Sequence, residues 1–415
     1  MKKQSQNFDV IVVGGGASGI MAAGIAGSLG KRVLLLEKNK NLGEKLKITG
    51  GGRCNITNAE FNTREFLKNY GESGKFLHSP FSQFSAKDTF EFFEKIGLPL
   101  VVQARKRAFP HTEKALDVFL ALEKYIKKEG VVCKTNARVS KILSENKLIT
   151  GVVAGGQNYT ADSFIFSTGG ISHPETGSTG DGFNFLRELG HTIIDPTPGI
   201  VPLAVKDNWV KSLAGVSLSF MKITFFVDGV KKFLKKGKIL FTHFGLSGPL
   251  ILNSSKEVVK LLPTGEVTAL IDAYPDTDHG ALEKKIIKVF DANKNKMLKN
   301  IFKEIVPLGM DKAMLSLLDK INPDTKIHSV TREERKQIVN LLKALPLTVA
   351  GIMGYDRAVV ADGGIALKEI DMKTMRSSLY ENLYVTGDLL HISRPSGGFS
   401  LQLCWTTGFV AGSSV

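Results

Sequence analysis

The sequence has few cysteines and no long apolar run, and both shortages exclude whole classes of protein. Its three cysteines, Cys54, Cys133 and Cys404, lie far apart, without a CxxC pair or the spacing of a zinc site. A disulfide framework and a structural metal centre are therefore not expected, and a reducing cytoplasm is the favoured location. Because no stretch of 18 or more apolar residues occurs, no membrane-spanning helix is expected. The apolar run from Phe8 soon meets glycines, which argues against a signal peptide.

Acidic residues are also scarce relative to basic ones. The 415 residues include 55 Lys and Arg but only 40 Asp and Glu, a net charge of +15. Between residues 206 and 340 there are 23 basic and 15 acidic residues. Such an excess favours a polyanionic partner, either nucleic acid or an anionic membrane surface; a merely solvated Lys-rich surface is the alternative. The composition otherwise indicates a folded chain of two or three domains.

The two ends of the chain carry the pattern of a parallel α/β sheet. The sequence predicts a strand over residues 8–13, a helix over 17–29 and a strand over 32–36, which together form a βαβ unit. The apolar segments 163–167 and 382–385 are expected to be further strands of the same sheet. The middle of the chain is therefore an insertion into this sheet domain.

The middle of the chain has two different periodicities. Residues 200–275 alternate apolar and polar side chains, and Asp228-Gly229 has the composition of a hairpin turn, so antiparallel β-structure is expected. Helical periodicity follows and ends at Pro346. We predict a discontinuous sheet domain over 1–195 and 346–415, a β-rich domain over 196–279 and a helical subdomain over 280–345.

A dinucleotide-binding loop lies between the first strand and the first helix. Gly14, Gly16 and Gly19 form a GxGxxG motif that allows a tight turn, close approach to a pyrophosphate and close packing of helix on strand. The helix N-terminus adds free N–H groups for the phosphates. Glu37 ends the second strand, where a carboxylate holds ribose hydroxyls. An acid there disfavours a 2′-phosphate, so FAD and NAD remain as candidates.

A second glycine-rich segment follows directly at residues 42–58. Three consecutive glycines at 50–52 precede the hydrogen-bonding side chains of Arg53, Asn55 and Thr57. This segment closely resembles the signature of a bacterial flavoprotein family, the aminoacetone oxidase-like FAD-binding enzymes. The likeness continues in order through residues 107–110, 167–170, 241–249, 385–388 and 397–402.

The resemblance implies an α/β fold: a split, Rossmann-like FAD domain with an inserted antiparallel β-domain that carries a helical subdomain. It places the pyrophosphate on the GxGxxG glycines, the adenosine ribose on Glu37, adenine on the Val139 backbone and the ribityl–pyrophosphate region on Asp388. The helix that starts near Gly398 would point its N-terminus at the flavin. The full set of FAD-binding residues implied in this way is Gly14, Gly16, Ala17, Ser18, Gly19, Glu37, Lys38, Gly43, Lys45, Gly51, Gly52, Arg53, Cys54, Asn55, Val139, Thr168, Gly169, Gly170, Gly387, Asp388, Gly398 and Phe399.

The sequence departs from the family pattern in two places. Asp388 stands where many relatives have Glu, which keeps the charge but shortens the reach. The stretch from His391 to Arg394 replaces a more acidic, glycine-containing one, so we expect added positive charge near the flavin.

Two substrate classes are associated with the family: small amines oxidised by oxygen, and a uridine of large-subunit ribosomal RNA reduced to dihydrouridine by a nicotinamide cofactor. No second GxGxxG follows a strand, so NAD(P)H is expected to bind transiently. Because an RNA substrate needs phosphate contacts, the basic charge favours the rRNA reaction over the amine oxidase. A flavin-binding redox sensor without turnover is a third reading.

Candidate RNA-contacting residues fall into three basic groups, with Phe226 and Phe233 as stacking faces; solvated surface or a protected hairpin edge are the alternatives. The proton donor for reduction is expected to be Cys54 or His243, with His391 as a weaker option. The basic groups are Arg105, Lys106 and Arg107; Lys231, Lys232, Lys235, Lys236 and Lys238; and Lys284, Lys285, Lys288, Lys294, Lys296, Lys299 and Lys303.

Overall fold

A computed structural model describes residues 8–415. Its strands are β1 Phe8–Val13, β2 Val33–Leu36, β3 Thr57–Asn58, β4 Leu100–Gln103, β5 Arg107–Pro110, β6 Val132–Lys134, β7 Val139–Glu145, β8 Leu148–Ala154, β9 Gln157–Tyr159, β10 Ala161–Phe166, β11 Ile193–Ile200, β12 Leu203–Val205, β13 Ser217–Val227, β14 Val230–Thr242, β15 Gly245–Ser247, β16 Val267–Asp272, β17 Leu345–Ile352, β18 Val360–Ile365 and β19 Leu383–Val385.

The α-helices of the same residues alternate with these strands. They are α1 Ala17–Ser28, α2 Glu44–Gly52, α3 Thr63–Leu67, α4 Gly74–Gln83, α5 Ala86–Lys95, α6 Ala115–Lys128, α7 Asp181–Glu188, α8 Asn208–Ser212, α9 Pro249–Leu252, α10 Ser255–Leu261, α11 His279–Ala292, α12 Leu298–Ile301, α13 Asp311–Leu315, α14 Arg332–Lys343 and α15 Phe399–Ser413. The chain divides into two units: the part up to Gly199 together with Ala358–Val415, and Ile200–Arg357.

The first unit is built around a five-stranded parallel sheet in the order β19-β10-β1-β2-β6. The central strand β1 is almost wholly buried, because its run of apolar, mostly β-branched residues is covered on both faces. Pairs such as Val12 with Leu35 and Ile165 with Tyr384 set the register. The predicted α/β class is thereby confirmed, and so are the predictions that segments 163–167 and 382–385 join the N-terminal βαβ sheet.

The helices from the two ends of the chain, α1 and α15, pack against each other in this unit. The contact is close because α15 has glycines where the backbones meet. A Cβ atom at Gly408 would lie 2.5 Å from the Ser18 carbonyl oxygen, and one at Gly412 would lie 2.5 Å from that of Ala22. Antiparallel sheets β3-β5-β4 and β7-β8-β9 complete much of the unit.

The second unit contains a closed barrel with the strand order β12-β15-β14-β13-β16-β17. The predicted hairpin at Asp228-Gly229 is confirmed: Val227 pairs with Val230, and both turn residues have positive φ, at 48° and 77°. Within the region of predicted helical periodicity, α11 buries Leu282, Ile286 and Phe290. Further along the same region, α13 ends at Leu315 and the chain then turns.

The structure moves two of the predicted domain boundaries. Pro346 does not begin the sheet domain, because it lies in β17 and pairs with Leu270 of β16 as part of the barrel. Residues 280–345 do not form a subdomain with its own core either. Their buried side chains, such as Phe302 and Ile338, belong to the same apolar cluster as Phe225 and Phe241 of the barrel.

Among residues 8–415, no helix has the length and apolar character that a membrane crossing requires.

Candidate functional site

The glycine loop after β1 has the geometry of a dinucleotide-binding turn. The Gly14 N–H donates to the Leu36 carbonyl at 2.8 Å, which ties the loop to the neighbouring strand. Gly19 lies so close to the loop that a Cβ atom there would be 1.9 Å from the Gly14 oxygen. A Cβ at Gly16, by contrast, would meet no atom within 4 Å, so open space faces the start of α1, where Ala17 and Ser18 lie. A phosphate can therefore approach the backbone at this point.

Glu37 at the end of β2 is buried, with 8% of its surface exposed. One carboxylate oxygen accepts the Gly15 N–H at 2.7 Å and the other accepts the Asn39 N–H at 2.8 Å. The side chain thus organises both the glycine loop and the turn after β2. Each oxygen retains further acceptor capacity, which is what binding to ribose hydroxyls requires.

Glu37 lines a cleft at the carboxyl ends of β1 and β2. Gly14, Lys38, Val139 and Thr168 line the same cleft, so five of the sequence-predicted residues come together there. The Thr168 hydroxyl oxygen is buried and has no hydrogen-bond partner among the described residues. An unpaired buried hydroxyl on a cleft wall fits a site that is completed by a polar ligand.

Lys38 lines this cleft and forms an ion pair with Asp181. Its Nζ lies 2.9 Å from Asp181 Oδ2, and Arg138 contacts the other carboxylate oxygen at 3.2 Å. Burial by itself raises the pKa of Asp181, but the hydrogen bond and charge of Lys38, with the charge of Arg138, outweigh it and lower that pKa. The aspartate therefore stays ionised and fixes two cations beside the cleft.

The second glycine segment connects to the same unit through Lys45. Its Nζ donates to Ser172 Oγ at 2.6 Å and lies 3.5 Å from Asp388 Oδ2. Gly43, just before α2, donates its N–H to the Gly15 carbonyl at 2.9 Å, which joins this segment to the first glycine loop. The exposed Gly51 and Gly52 follow in left-handed conformation.

Asp388 follows β19 and forms an ion pair with Arg394, which sequence reasoning did not foresee. The Arg394 guanidinium is buried and also donates to Ser400 Oγ at 3.1 Å and to the Ile392 carbonyl at 2.7 Å. Burial opposes ionisation of Asp388, but the positive charges of Arg394 and Lys45 lower its pKa overall. The expected added positive charge is therefore largely neutralised, because Arg394 is internally paired.

The start of α15 is fixed by contacts with β3 and the preceding loop. Gly398 has a φ of 99°, and a Cβ there would lie 2.3 Å from the Thr57 carbonyl carbon, so only glycine fits. The Asn55 side-chain oxygen accepts the Gly398 N–H at 2.9 Å. The Tyr70 hydroxyl donates to the Phe399 carbonyl at 2.8 Å. The helix N-terminus is thus held next to Asn55 of the second glycine segment.

A buried polar network along α15 was missed by sequence reasoning. Gln402 accepts hydrogen bonds from Thr57 and Thr89 through its side-chain oxygen and donates to Thr406. Trp405 donates its ring N–H to the Ile56 carbonyl at 3.0 Å. The polar residues within the otherwise apolar sequence of α15 were the only sign of this network, and the sequence does not indicate which residues they bind.

The remaining predicted residues lie at two strand ends. Gly169 and Gly170 follow β10, and Gly387 follows β19 and donates its N–H to Thr407 Oγ1 at 3.0 Å. Because β10 and β19 are neighbouring parallel strands, these glycines lie at one edge of the sheet, beside the end of β1.

The three candidate proton donors have different environments. Cys54 is fully buried, and burial raises the pKa of its thiol to about 12, so the placement does not support proton donation to a substrate. His391 is half-buried, and its Nδ1 is buried without a hydrogen-bond partner among residues 8–415. His243 is exposed in the turn between β14 and β15, with its ring 5.0 Å from that of Phe244.

The basic hairpin strand β14 has its lysines on the barrel exterior. Lys235 and Lys236 form ion pairs with Glu257 and Asp276, at 3.1 and 3.3 Å. Phe233 stacks on the buried Phe225 at 4.7 Å, so one of its two faces is already occupied. Within the described chain, Lys231, Lys232 and Lys238 form no ion pair.

Comparison with known proteins identifies the family. A model described as the HI0933-like protein Rossmann domain matches residues 8–414. The chain belongs to the HI0933-like family. Among its curated relatives, a 3-dehydro-bile acid delta(4,6)-reductase from Clostridium scindens is 30% identical over 97% of each chain. A ribosomal RNA dihydrouridine synthase from Haemophilus influenzae is 27% identical over 99% of each chain.

Solved structures agree with the fold of this HI0933-like chain. The 3-ketosteroid-Δ4-(5α)-dehydrogenase of Rhodococcus jostii superposes with a TM-score of 0.55 at 14% identity, covering all of this chain and 98% of that one. The family predicted from the motifs is confirmed, and the chain is an FAD-dependent oxidoreductase. The site fits the cofactor, since the buried acceptor Glu37 and Thr168 line one cleft and open space faces Gly16 in the adjacent glycine loop.

Proposed function

We propose that this enzyme reduces a uridine of large-subunit ribosomal RNA to dihydrouridine, with NAD(P)H as the electron donor. In balanced form, uridine, NAD(P)H and a proton give dihydrouridine and NAD(P)⁺. When bound, FAD would supply the hydride-transfer chemistry that couples oxidation of the nicotinamide to reduction of the uracil C5–C6 bond. One of the curated relatives is named a reductase and the other is named for making dihydrouridine, the reduced form of uridine, which favours reduction over amine oxidation.

The charge on β14 is the observation that carries the choice of RNA. Lys231, Lys232 and Lys238 form no ion pair among the described residues, and exposed unpaired cations are what phosphate contacts need. The alternative is that these lysines protect an edge. Among residues 8–415, residues 230–237 pair with β13 and with no second strand, whereas residues 240–242 also pair with β15, so this half of β14 has one edge without a strand partner. Salt-dependent RNA binding separates the two explanations.

In the proposed site, the residues of the cleft hold the cofactor. The loop from Gly14 to Gly19 and the N-terminus of α1 bind the pyrophosphate, and Glu37 binds the adenosine ribose. Asp388, held by Arg394 and Lys45, binds the ribityl side. The N-terminus of α15 at Gly398 and Phe399 would be directed at the flavin, where its dipole would stabilise negative charge. Asn55 and Thr57 hold that helix end in place.

The proton that completes the reduction has two candidate donors. His243 and His391 both have an imidazole that is not fully buried, whereas the Cys54 thiol is enclosed by the core. We expect replacement of the donor by Asn to leave FAD reduction by NAD(P)H intact and to slow reoxidation by the RNA substrate. Measuring the two half-reactions separately for His243→Asn and His391→Asn identifies which imidazole acts.

The decisive experiment maps dihydrouridine in large-subunit ribosomal RNA with and without the gene. We expect one position to lose the modification on deletion and to regain it when the gene is restored. An unchanged map would overturn the proposal. The purified protein is assayed in parallel for peroxide formation with aminoacetone in air, because the amine-oxidase alternative requires peroxide above background. Tight FAD retention without reduction by NADH or NADPH would instead support the redox sensor.

A further inference from the structure

A second basic feature lies in the FAD-binding unit itself. The turn between β4 and β5 contains Arg105 and Lys106, and Arg107 begins β5. Lys106 is paired with Glu60, but Arg105 and Arg107 have no carboxylate within 4.0 Å among residues 8–415. Among the described residues, the Arg107 side chain makes one hydrogen bond, from Nε to the Ala104 carbonyl at 3.2 Å. The guanidinium groups of Arg105 and Arg107 therefore have most of their N–H donors available for a ligand.

A third arginine, Arg53, packs against the ring of Phe109, which Arg107 also approaches. The guanidinium carbon of Arg53 lies 4.3 Å from the centre of the Phe109 ring, and that of Arg107 lies 5.8 Å from it. Arg53 is steadied by Gln103, at 2.6 Å, and by an ion pair with Glu113. Burial and then the like charges of Arg105 and Arg53 lower the pKa of Arg107. The fold thus gathers cations that repel one another.

The backbone of the turn is strained as well as charged. Arg105 and Lys106 are successive residues with φ of 62° and 56°, a conformation that residues with a Cβ atom seldom adopt. The turn is kept in this form by Asn58, whose amide donates to the Arg105 carbonyl and the Gly397 carbonyl, both at 3.2 Å. Local strain that the surrounding structure maintains is typical of functional sites.

The two hydrogen bonds of Asn58 place the arginine turn next to the start of α15. Gly397 directly precedes Gly398, the residue before α15, and this helix end is the one assigned above to the flavin ring. An anion bound by the turn would therefore be part of a molecule that approaches the flavin, rather than part of the adenosine end of FAD. The planar guanidinium fork matches the oxygens of a phosphoryl group, with which it forms paired hydrogen bonds.

We propose that Arg105 and Arg107, with Arg53 stacked on the same Phe109 ring, bind a phosphoryl group of the molecule that reacts at the flavin. This inference rests on the proposed function for the source of the group, which is either the RNA backbone next to the target uridine or the nicotinamide dinucleotide. The arginines position the reactant, and they neither donate nor accept the proton of the reaction.

The test compares the Arg105→Asn/Arg107→Gln double variant with wild type. Asn suits the left-handed position of Arg105, so the turn is expected to persist. The matched control is Arg187→Gln, which also removes an arginine charge, but one already paired with Asp195 at 3.1 Å. Visible absorbance first establishes that each variant retains FAD. If the double variant loses FAD, Arg105→Asn alone serves, because that side chain is exposed.

Two binding measurements distinguish the sources. In the first, a fluorescein-labelled decauridylate is titrated at several KCl concentrations, and we expect at least tenfold weaker binding and a salt slope reduced by about 1.4. In the second, anaerobic reduction by NADPH and by NADH is followed with the native enzyme and each variant. If the phosphoryl group belongs to the dinucleotide, the half-saturating concentration rises at least tenfold while the limiting rate is unchanged.

A response in the RNA measurement assigns the site to the backbone, and a response in the dinucleotide measurement assigns it to the electron donor. If neither differs from the Arg187→Gln control, the proposal is wrong. Neither measurement requires dihydrouridine to form. A failed ribosomal RNA reaction therefore remains distinguishable from a failed arginine site.

Discussion

Replacing Glu37 tests the cofactor site most directly, because its carboxylate has two structural contacts in addition to its proposed one. Glu37→Ala leaves the Gly15 and Asn39 N–H groups, now bound at 2.7 and 2.8 Å, without their acceptor. Each buried donor that loses its acceptor costs about 1–3 kcal/mol. Because the Gly15 N–H is buried and the Asn39 N–H is partly buried, a total of about 2 kcal/mol is lost from the ordered loop, before any contact to ribose is counted.

Since 1.4 kcal/mol corresponds to a tenfold change in affinity, we expect the Kd for FAD to rise at least about thirtyfold. The assay is FAD content after purification, followed by titration of the apoprotein with FAD. Glu145→Ala is the control, since that carboxylate is exposed at the end of β7. Glu37→Gln should fall between the two, because its amide oxygen satisfies one N–H while its NH₂ group faces the other. Full occupancy and wild-type affinity in Glu37→Ala would refute the reasoning.

Three further predictions concern packing, charge and RNA. Gly19→Ala should lower the free energy of unfolding by about 3 kcal/mol in a denaturant titration, since the new Cβ would lie 1.9 Å from a backbone oxygen. Asp388→Asn should lower it by about 3–5 kcal/mol, because the buried Arg394 loses its counter-charge. In the wild type, the pKa of Asp388 is lowered, so its full contribution to the free energy of unfolding is present above the ordinary carboxyl pKa of about 3.9. That contribution is lost as the pH falls through the lower pKa of the folded state, and measuring stability across an acid titration detects the loss. Removing the three unpaired charges of β14 should weaken binding of single-stranded RNA and reduce its salt slope by about 2, whereas an unchanged slope would support the edge-protecting role; the substitutions are Lys231→Gln, Lys232→Gln and Lys238→Gln.

Local sequence patterns were sufficient for the cofactor half of the fold. The β-branched run at residues 8–13, the glycine loop and the acid at Glu37 are adjacent in sequence, so each constrains the next. Segments 163–167 and 382–385 were also placed in the correct sheet, because a short, wholly apolar strand needs cover on both faces.

Long-range pairing was the part that sequence could not supply. Nothing within β17 indicates that it pairs with β16 across the intervening helices and closes a barrel, so Pro346 was assigned to the wrong unit. The partner of Arg394 was missed for a related reason. An arginine six residues from an aspartate has no fixed relation to it until the turn after β19 forms.

The close packing of α1 on α15 has a consequence for how the chain folds during synthesis. The glycine loop leaves the ribosome early, but its sheet lacks β19 and its first helix lacks its neighbour until residues 383–413 have been made. At typical translation rates this delay is on the order of tens of seconds. The Ile200–Arg357 unit is complete before that point. Stable loading of FAD is therefore expected only after α15 has been synthesised.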